Sequence, residues 1–318
     1  MSDLSRPQEV EQQFHHLVQD GAYAEALDLV TREAHVFPDY AQKVVYYWRM
    51  TMACRLKKKE LALHLLEEAL QAGHWYAGLE TDPDFQLIYA EPEFERLAKL
   101  GSLHRSRAIA DAVPVVKILQ PDTSPPWPLL LALHGSNANV EVQGEHWLAA
   151  VEHGWLAALP QSSQVYAPGT FTWNDWEWAQ QEVCERYAAL CNSYTIDPKR
   201  VVIGGFSQGG GLALWLGLSG AIKAQGLLLV GPFLDEVSQI VPLLEKHVLD
   251  GLRVYLVAGQ RDRYCHGIAE QLAALLPTYG IVCKLDDYPD LEHSFPVDFE
   301  KKLPEALTFL GSGSILNL

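Results

Sequence analysis

The chain has 318 residues, 48% of them hydrophobic and 20% charged, which suits a soluble globular protein with a sizeable core. A formal net charge of −16 offers no basic face to phosphates or an anionic membrane, so nucleic acid is not expected as a partner. Five cysteines, odd in number and without C-x-x-C spacing, fit reduced thiols better than a disulfide frame or a zinc site.

The opening stretch Met1–Pro7 has no apolar run, and no window reaches the length of a membrane span. A cytoplasmic location is the expectation. From Glu9 to about Leu100 the apolar spacing is helical. Val10, Phe14, Leu17 and Val18 predict a first helix that breaks at Asp20-Gly21. Tyr23, Ala26, Leu27 and Val30 start a second, ending near Phe37-Pro38. A third runs from Tyr40 towards Leu56, and a fourth carries Leu61, Leu65, Leu66 and Leu70 before Gly73. Lys57-Lys58-Lys59 reads as a solvated junction between these two. Pro83 and Pro92 each open a further short helix. His15, His16 and His64 read as surface histidines without acidic partners at ligand spacing, and Tyr46-Tyr47-Trp48 as packing. Glu25-Ala26-Leu27 and Leu61-Ala62-Leu63 form a weak echo near the tetratricopeptide period. Residues 1–103 are thus expected to be an all-α, tetratricopeptide-like domain, able to hold a protein partner or a second copy of the chain.

His104–Ala112 reads as a short polar boundary, and beyond it the texture changes. Short apolar runs at Val113–Leu119, Leu129–Leu133, Trp155–Leu159, Val201–Ile203, Leu227–Val230, Val254–Ala258 and Val282–Leu285 predict seven strands. Helical patterns intervene at Gln143–His153, Asn174–Ser193, Gln208–Leu218, Leu234–His247, Ile268–Leu276 and Phe299–Leu310. Buried runs alternating with helices imply an α/β domain over 104–318, with a mainly parallel sheet covered on both faces. Ligands of such sheets sit at the carboxyl ends of the strands.

At one such end stands Gly205-Phe206-Ser207-Gln208-Gly209, a G-x-S-x-G pattern between a β-branched run and a helix. Glycines two residues either side let the chain turn sharply and leave Ser207 Oγ exposed as a nucleophile. A serine hydroxyl needs a base beside it and an acid to orient that base. Downstream of Ser207 stand His247, His266 and His293. His247 lies within a helical pattern; His293, in a loop after the last strand, is the candidate base, with His266 as rival. Asp262, leaving the penultimate strand, is the candidate acid, with Asp286, Asp287 and Asp290 as rivals. The Gln208 backbone N–H is one candidate oxyanion donor, and the N–H of Ser136 in Leu133-His134-Gly135-Ser136 is the second. His134 reads as a structural hydrogen-bonder of that loop. The aromatic stretch Tyr166–Trp178 is the candidate substrate wall, with Phe171, Trp173 and Trp176 as its members. It favours short-chain or aromatic esters.

Taken together, Gly205–Gly210, Leu133-His134-Gly135, Asp197-Pro198-Lys199-Arg200-Val201, Gly259…Asp262 and Glu292-His293 resemble the phospholipase/carboxylesterase family over roughly residues 113–310. That family includes bacterial carboxylesterases and acyl-protein thioesterases. The resemblance implies the α/β-hydrolase fold, a Ser207–Asp262–His293 triad, oxyanion donors at Ser136 and Gln208, and a small-molecule ester substrate without cofactor or metal. Two departures stand out: a serine follows His134-Gly135 where thioesterases carry a bulky apolar residue, and a helical module precedes the catalytic part. A thioesterase, or an interaction protein whose hydrolase domain is inactive, are the alternative readings.

Overall fold

The computed structural model describes residues 6–38, 41–76, 78–246 and 251–311. They fall into two compact units, one running to Asp111 and also including Ala167–Gly169, the other holding the rest from Ala112 onward.

The first unit is helical, with no strand among its described residues. It comprises α1 (Arg6–Gln19), α2 (Tyr23–Arg32), α3 (Gln42–Arg55), α4 (Lys59–Gln71) and α5 (Pro92–Asp111), each packed on its neighbour in sequence. The expected apolar stripes meet in one core, where Val10 and Phe14 of α1 pack against Ala26 and Val30 of α2 and Val45 and Met52 of α3. Trp48 stacks on Phe14 with ring centroids 4.7 Å apart. Tyr40, the expected start of the third helix, lies outside the described residues. Residues 104–111, expected as a boundary, are instead the last two turns of α5. His15, His16 and His64 are surface residues, but each faces an acid one helical turn away: Glu11, Asp20 and Glu68.

The second unit begins with β1 (Val115–Leu119) and β2 (Trp127–Leu133). The segment expected as one helix over 143–153 is two short ones, α6 (Val140–Gly144) and α7 (Leu148–Glu152). There follow β3 (Leu156–Gln161), a small hairpin of β4 (Val165–Ala167) and β5 (Thr170–Phe171), and α8 (Trp176–Ser193). The remainder is β6 (Ile196–Phe206), α9 (Gln208–Leu218), β7 (Gly226–Val230), α10 (Val241–Lys246), β8 (Arg253–Gly259), α11 (His266–Leu275), β9 (Val282–Tyr288) and α12 (Phe299–Gly311). Seven strands form one sheet in the order β1-β3-β2-β6-β7-β8-β9, all parallel except β1, which runs antiparallel to β3 at the edge.

β2 and β7 are buried throughout, as strands covered on both faces must be. Their alternation divides the core into two layers. Leu129, Leu131 and Leu133 pack with α9 on one face; Leu130 and Ala132 pack with Phe299, Leu303 and Leu307 of α12 in the layer on the other. Each fully buried leucine contributes roughly 2 kcal/mol. α9 is apolar almost all round and correspondingly buried. With β6 central and its neighbours parallel, the loops after β2, β6, β7, β8 and β9 all leave from the same end of the sheet.

Candidate active site

The turn from β6 into α9 is held by steric exclusion. Ser207 has φ 53° and ψ −119°, a backbone conformation that L-residues rarely occupy. A Cβ at position 205 would lie 2.3 Å from the Gly209 carbonyl oxygen. One at position 209 would lie 2.4 Å from the carbonyl oxygens of both Leu133 and His134. Glycine is therefore required at both places, the second because α9 starts against the end of β2. The strained serine is pinned by its own backbone: its N–H donates to Val230 O (2.9 Å), and its carbonyl accepts from Phe233 N (2.9 Å) and Gly211 N (3.0 Å).

Three of the expected side chains converge. His293 Nε2 lies 2.8 Å from Ser207 Oγ, and His293 Nδ1 lies 2.6 Å from Asp262 Oδ2. Asp262 is buried, and its other oxygen accepts from the backbone N–H groups of Tyr264 and Cys265, both at 3.0 Å. With Oδ1 so occupied, Oδ2 faces the imidazole and accepts from Nδ1–H, which leaves Nε2 bare towards the serine. The acid and histidine loops are joined by main-chain bonds, Gln260 N to Tyr288 O (2.9 Å) and Arg261 N to Leu291 O (3.0 Å). Phe206 lies against the His293 ring, centroids 4.8 Å apart, and stacks in turn on Phe295.

The rivals lie elsewhere. His266 Nε2 is 3.1 Å from Asp287 Oδ1, and Asp290 pairs with Arg261. Asp286 accepts from the Tyr255 hydroxyl. His247 lies outside the described residues.

Ligating atoms of Asp262, Cys265 and His293 fall within 4.8 Å of one another, the one such trio among the described residues. The facing atoms of Asp262 and His293 are already bonded to each other. Burial, reinforced by the Asp262 charge, pushes the Cys265 thiol up to about 12, so it is a poor metal ligand.

In the loop after β2, the Gly135 N–H donates to Gln143 Oε1 at 2.8 Å. The N–H groups of Ser136 and Gln208 have no hydrogen-bond partner among the described residues. His134 is buried, with Nδ1 2.8 Å from Gly135 O and Nε2 accepting from Ser162 N at 3.1 Å, so Nδ1 carries the proton. Burial lowers its pKa to about 4 despite the Gly135 bond, and it is a neutral fixture of the loop.

The aromatic wall needs correction. Trp173 is fully buried: its ring stacks on His134 at 4.7 Å and its Nε1–H donates to His134 O at 2.8 Å. Phe171 serves the β5 backbone pairing with Ala138 and is not among the residues lining the cavity next to Gln208. Only Trp176 reaches the cavity beside the serine, a space of about 520 Å³ lined with Asn174, Gln208, Trp215, Phe233, Asp235 and Gln239. Trp215 is two turns along α9 from Gln208, and Phe233 and Asp235 follow the carboxyl end of β7. The strand-end rule, applied to β7, points at them.

The sequence reading also overlooked the Gln208 side chain. Its Oε1 accepts from Trp173 N (2.7 Å) and lies 2.9 Å from Thr172 Oγ1, while its Nε2 donates to Asn174 Oδ1 (2.8 Å). It ties the 172–174 segment to the first turn of α9.

A parallel sheet of this order, with a strained serine between β6 and α9, defines an α/β hydrolase. Residues 181–310 match the sequence model of the phospholipase/carboxylesterase family, and residues 10–109 match that of an A/B hydrolase-like N-terminal domain. The two matches follow one another along the chain, the phospholipase/carboxylesterase model behind the helical domain; the tetratricopeptide echo rests on helical spacing alone. An uncharacterized protein from Bacillus cereus shares the arrangement over 98% of this chain and 100% of its own, at 24% identity and a TM-score of 0.55. A carboxylesterase from Bacillus cereus matches at 18% identity, covering 64% of this chain and 98% of its own, with a TM-score of 0.50. A carboxylesterase from Mesorhizobium loti matches at 15% identity, 62% and 96% coverage, and the same TM-score. At these identities the likeness is one of fold. No described helix is long and apolar enough to cross a membrane.

Proposed function

We propose that the protein is a serine carboxylester hydrolase that works through an acyl-enzyme on short-chain or aromatic esters. The observation carrying this reading is the unbroken run of short contacts from Ser207 Oγ through His293 to the buried Asp262. His293 Nε2 takes the Ser207 proton as Oγ attacks the ester carbonyl, and Asp262 stabilises the imidazolium that forms. The tetrahedral oxyanion accepts from the Ser136 and Gln208 N–H groups, each worth on the order of 3 kcal/mol of transition-state stabilisation. Protonated His293 releases the alcohol, and water activated by the same base then frees the acid. The five cysteines are all free, which supports a reducing, cytoplasmic setting.

The test is a panel of p-nitrophenyl acetate, butyrate and palmitate, with a matched thioester and amide, run on wild type and Ser207→Ala. The reading expects acetate or butyrate to be the best substrate and Ser207→Ala to lose at least about 10³-fold in kcat. A maximum on palmitate, or a higher kcat/KM on the thioester than on its oxoester, would move the assignment to a long-chain esterase or a thioesterase.

A further inference from the structure

The cavity beside Ser207 has a composition that the proposed chemistry does not require. Trp176 of α8 and Trp215 of α9 line it together, ring centroids 5.5 Å apart and planes at 70°, and Phe233 adds a third, partly exposed ring. Asp235 is the only charged residue of the lining. Asp235 is exposed, and among the described residues its carboxylate has no ion pair and no hydrogen bond. Of the amides nearest the serine, Gln208 is engaged through both its oxygen and its nitrogen and Asn174 through its oxygen, with each other and with the 172–173 segment. The indole N–H of Trp215 is likewise directed to Gln180 Oε1 at 3.1 Å. Besides aromatic surface, the lining offers the Asn174 and Gln239 amides and one carboxylate without an ion pair.

From this geometry we infer that the site selects esters carrying a cationic group, an alkylated ammonium in the acyl or alcohol part, seated against the Trp176–Trp215 pair and facing Asp235. Aromatic rings attract a cation through their quadrupole, and a carboxylate adds direct charge attraction, whereas an anionic substrate would meet repulsion. The net charge of −16 draws the same class of molecule towards the protein. The spacing is short. The Phe233 N–H is bonded to the Ser207 main-chain carbonyl, and the two-residue step to Asp235 spans at most about 7 Å of backbone.

This inference takes the cavity to be the substrate site of the proposed hydrolase, but its test is equilibrium binding and does not depend on turnover. Titrate wild type, Asp235→Asn and Asp235→Lys by calorimetry with 2-hydroxyethyl-trimethylammonium and with its uncharged isostere 3,3-dimethylbutan-1-ol. Wild type should bind the ammonium about tenfold more tightly than the isostere. Asp235→Asn should bring the two within about threefold, and Asp235→Lys should reverse the order. Equal affinities in wild type, or a preference that survives in both variants, would overturn the cationic site even in an active esterase. Hydrolysis of p-nitrophenyl acetate that persists in Ser207→Ala would overturn the hydrolase reading and leave the binding result to stand by itself.

Discussion

Two stretches of the chain, the turn at 205–209 and the aromatic segment at 171–178, meet at the Gln208 side chain and at the carbonyl oxygen of His134. That oxygen blocks any Cβ at position 209 and also accepts from the Trp173 indole. The turn could be read from its residues because glycine there answers to a steric exclusion that only one backbone path satisfies. The aromatic segment could not, because three tryptophans in six positions say nothing about which way each ring points. In the folded chain Trp173 is core, Trp176 reaches the cavity, and Trp178 is largely exposed. Residue identity specifies geometry where the constraint is local backbone strain. It leaves geometry open where tertiary packing decides.

The sharpest way to break this contrast is Gly209→Ala. Its new Cβ would stand 2.4 Å from two backbone oxygens, neither of which can yield without moving the end of β2. A loss on the order of 4 kcal/mol, or failure to fold, is expected in urea unfolding. A variant that folds with wild-type stability would show that the turn is not held as described.

The tryptophans should then separate by what they do. Trp173→Ala removes a buried ring and leaves the His134 carbonyl without its donor, so a stability loss of about 3–5 kcal/mol is expected. Trp176→Ala should change stability by less than about 2 kcal/mol while raising KM several-fold on an ester that fills the cavity. The opposite pattern would restore Trp173 to the substrate wall.

The smallest effect is acid-linked. Buried His134 has its pKa lowered to about 4, against 6.5 ordinarily. As pH falls below 6.5 the unfolded chain takes up the proton first while the native state stays neutral. Stability therefore drains away between about 6.5 and 4, by roughly 3 kcal/mol in all. Comparing wild type with His134→Asn by urea unfolding at several pH values should show a shallower loss in the variant. Identical slopes would contradict the buried, neutral imidazole.

Elsewhere, legibility followed the same division. Helix α9 was predicted at its observed bounds, Gln208–Leu218, because glycines and a continuous apolar run mark it. Ser207, Asp262 and His293 could be singled out because parallel strands deliver their loops to one end of the sheet. The β4–β5 hairpin escaped notice because each strand is too short to show alternation. Residues 104–111 looked like a boundary because an exposed helix end carries no apolar stripe. The helix expected over 234–247 is a 3₁₀ turn at Val237–Ile240 and then α10, with Pro242 in its first turn, where proline is tolerated. Asp235 was invisible as a site residue, since an unpaired carboxylate is a property of its surroundings.

The central claim is that the hydroxyl at the apex of the β6–α9 turn is an activated nucleophile. Incubation with a fluorophosphonate followed by mass spectrometry of the digested protein tests it directly. The account predicts one label per chain, on Ser207, abolished in Ser207→Ala and strongly slowed in His293→Ala. A chain that stays unlabelled while folded, or takes its label at another residue, would contradict it.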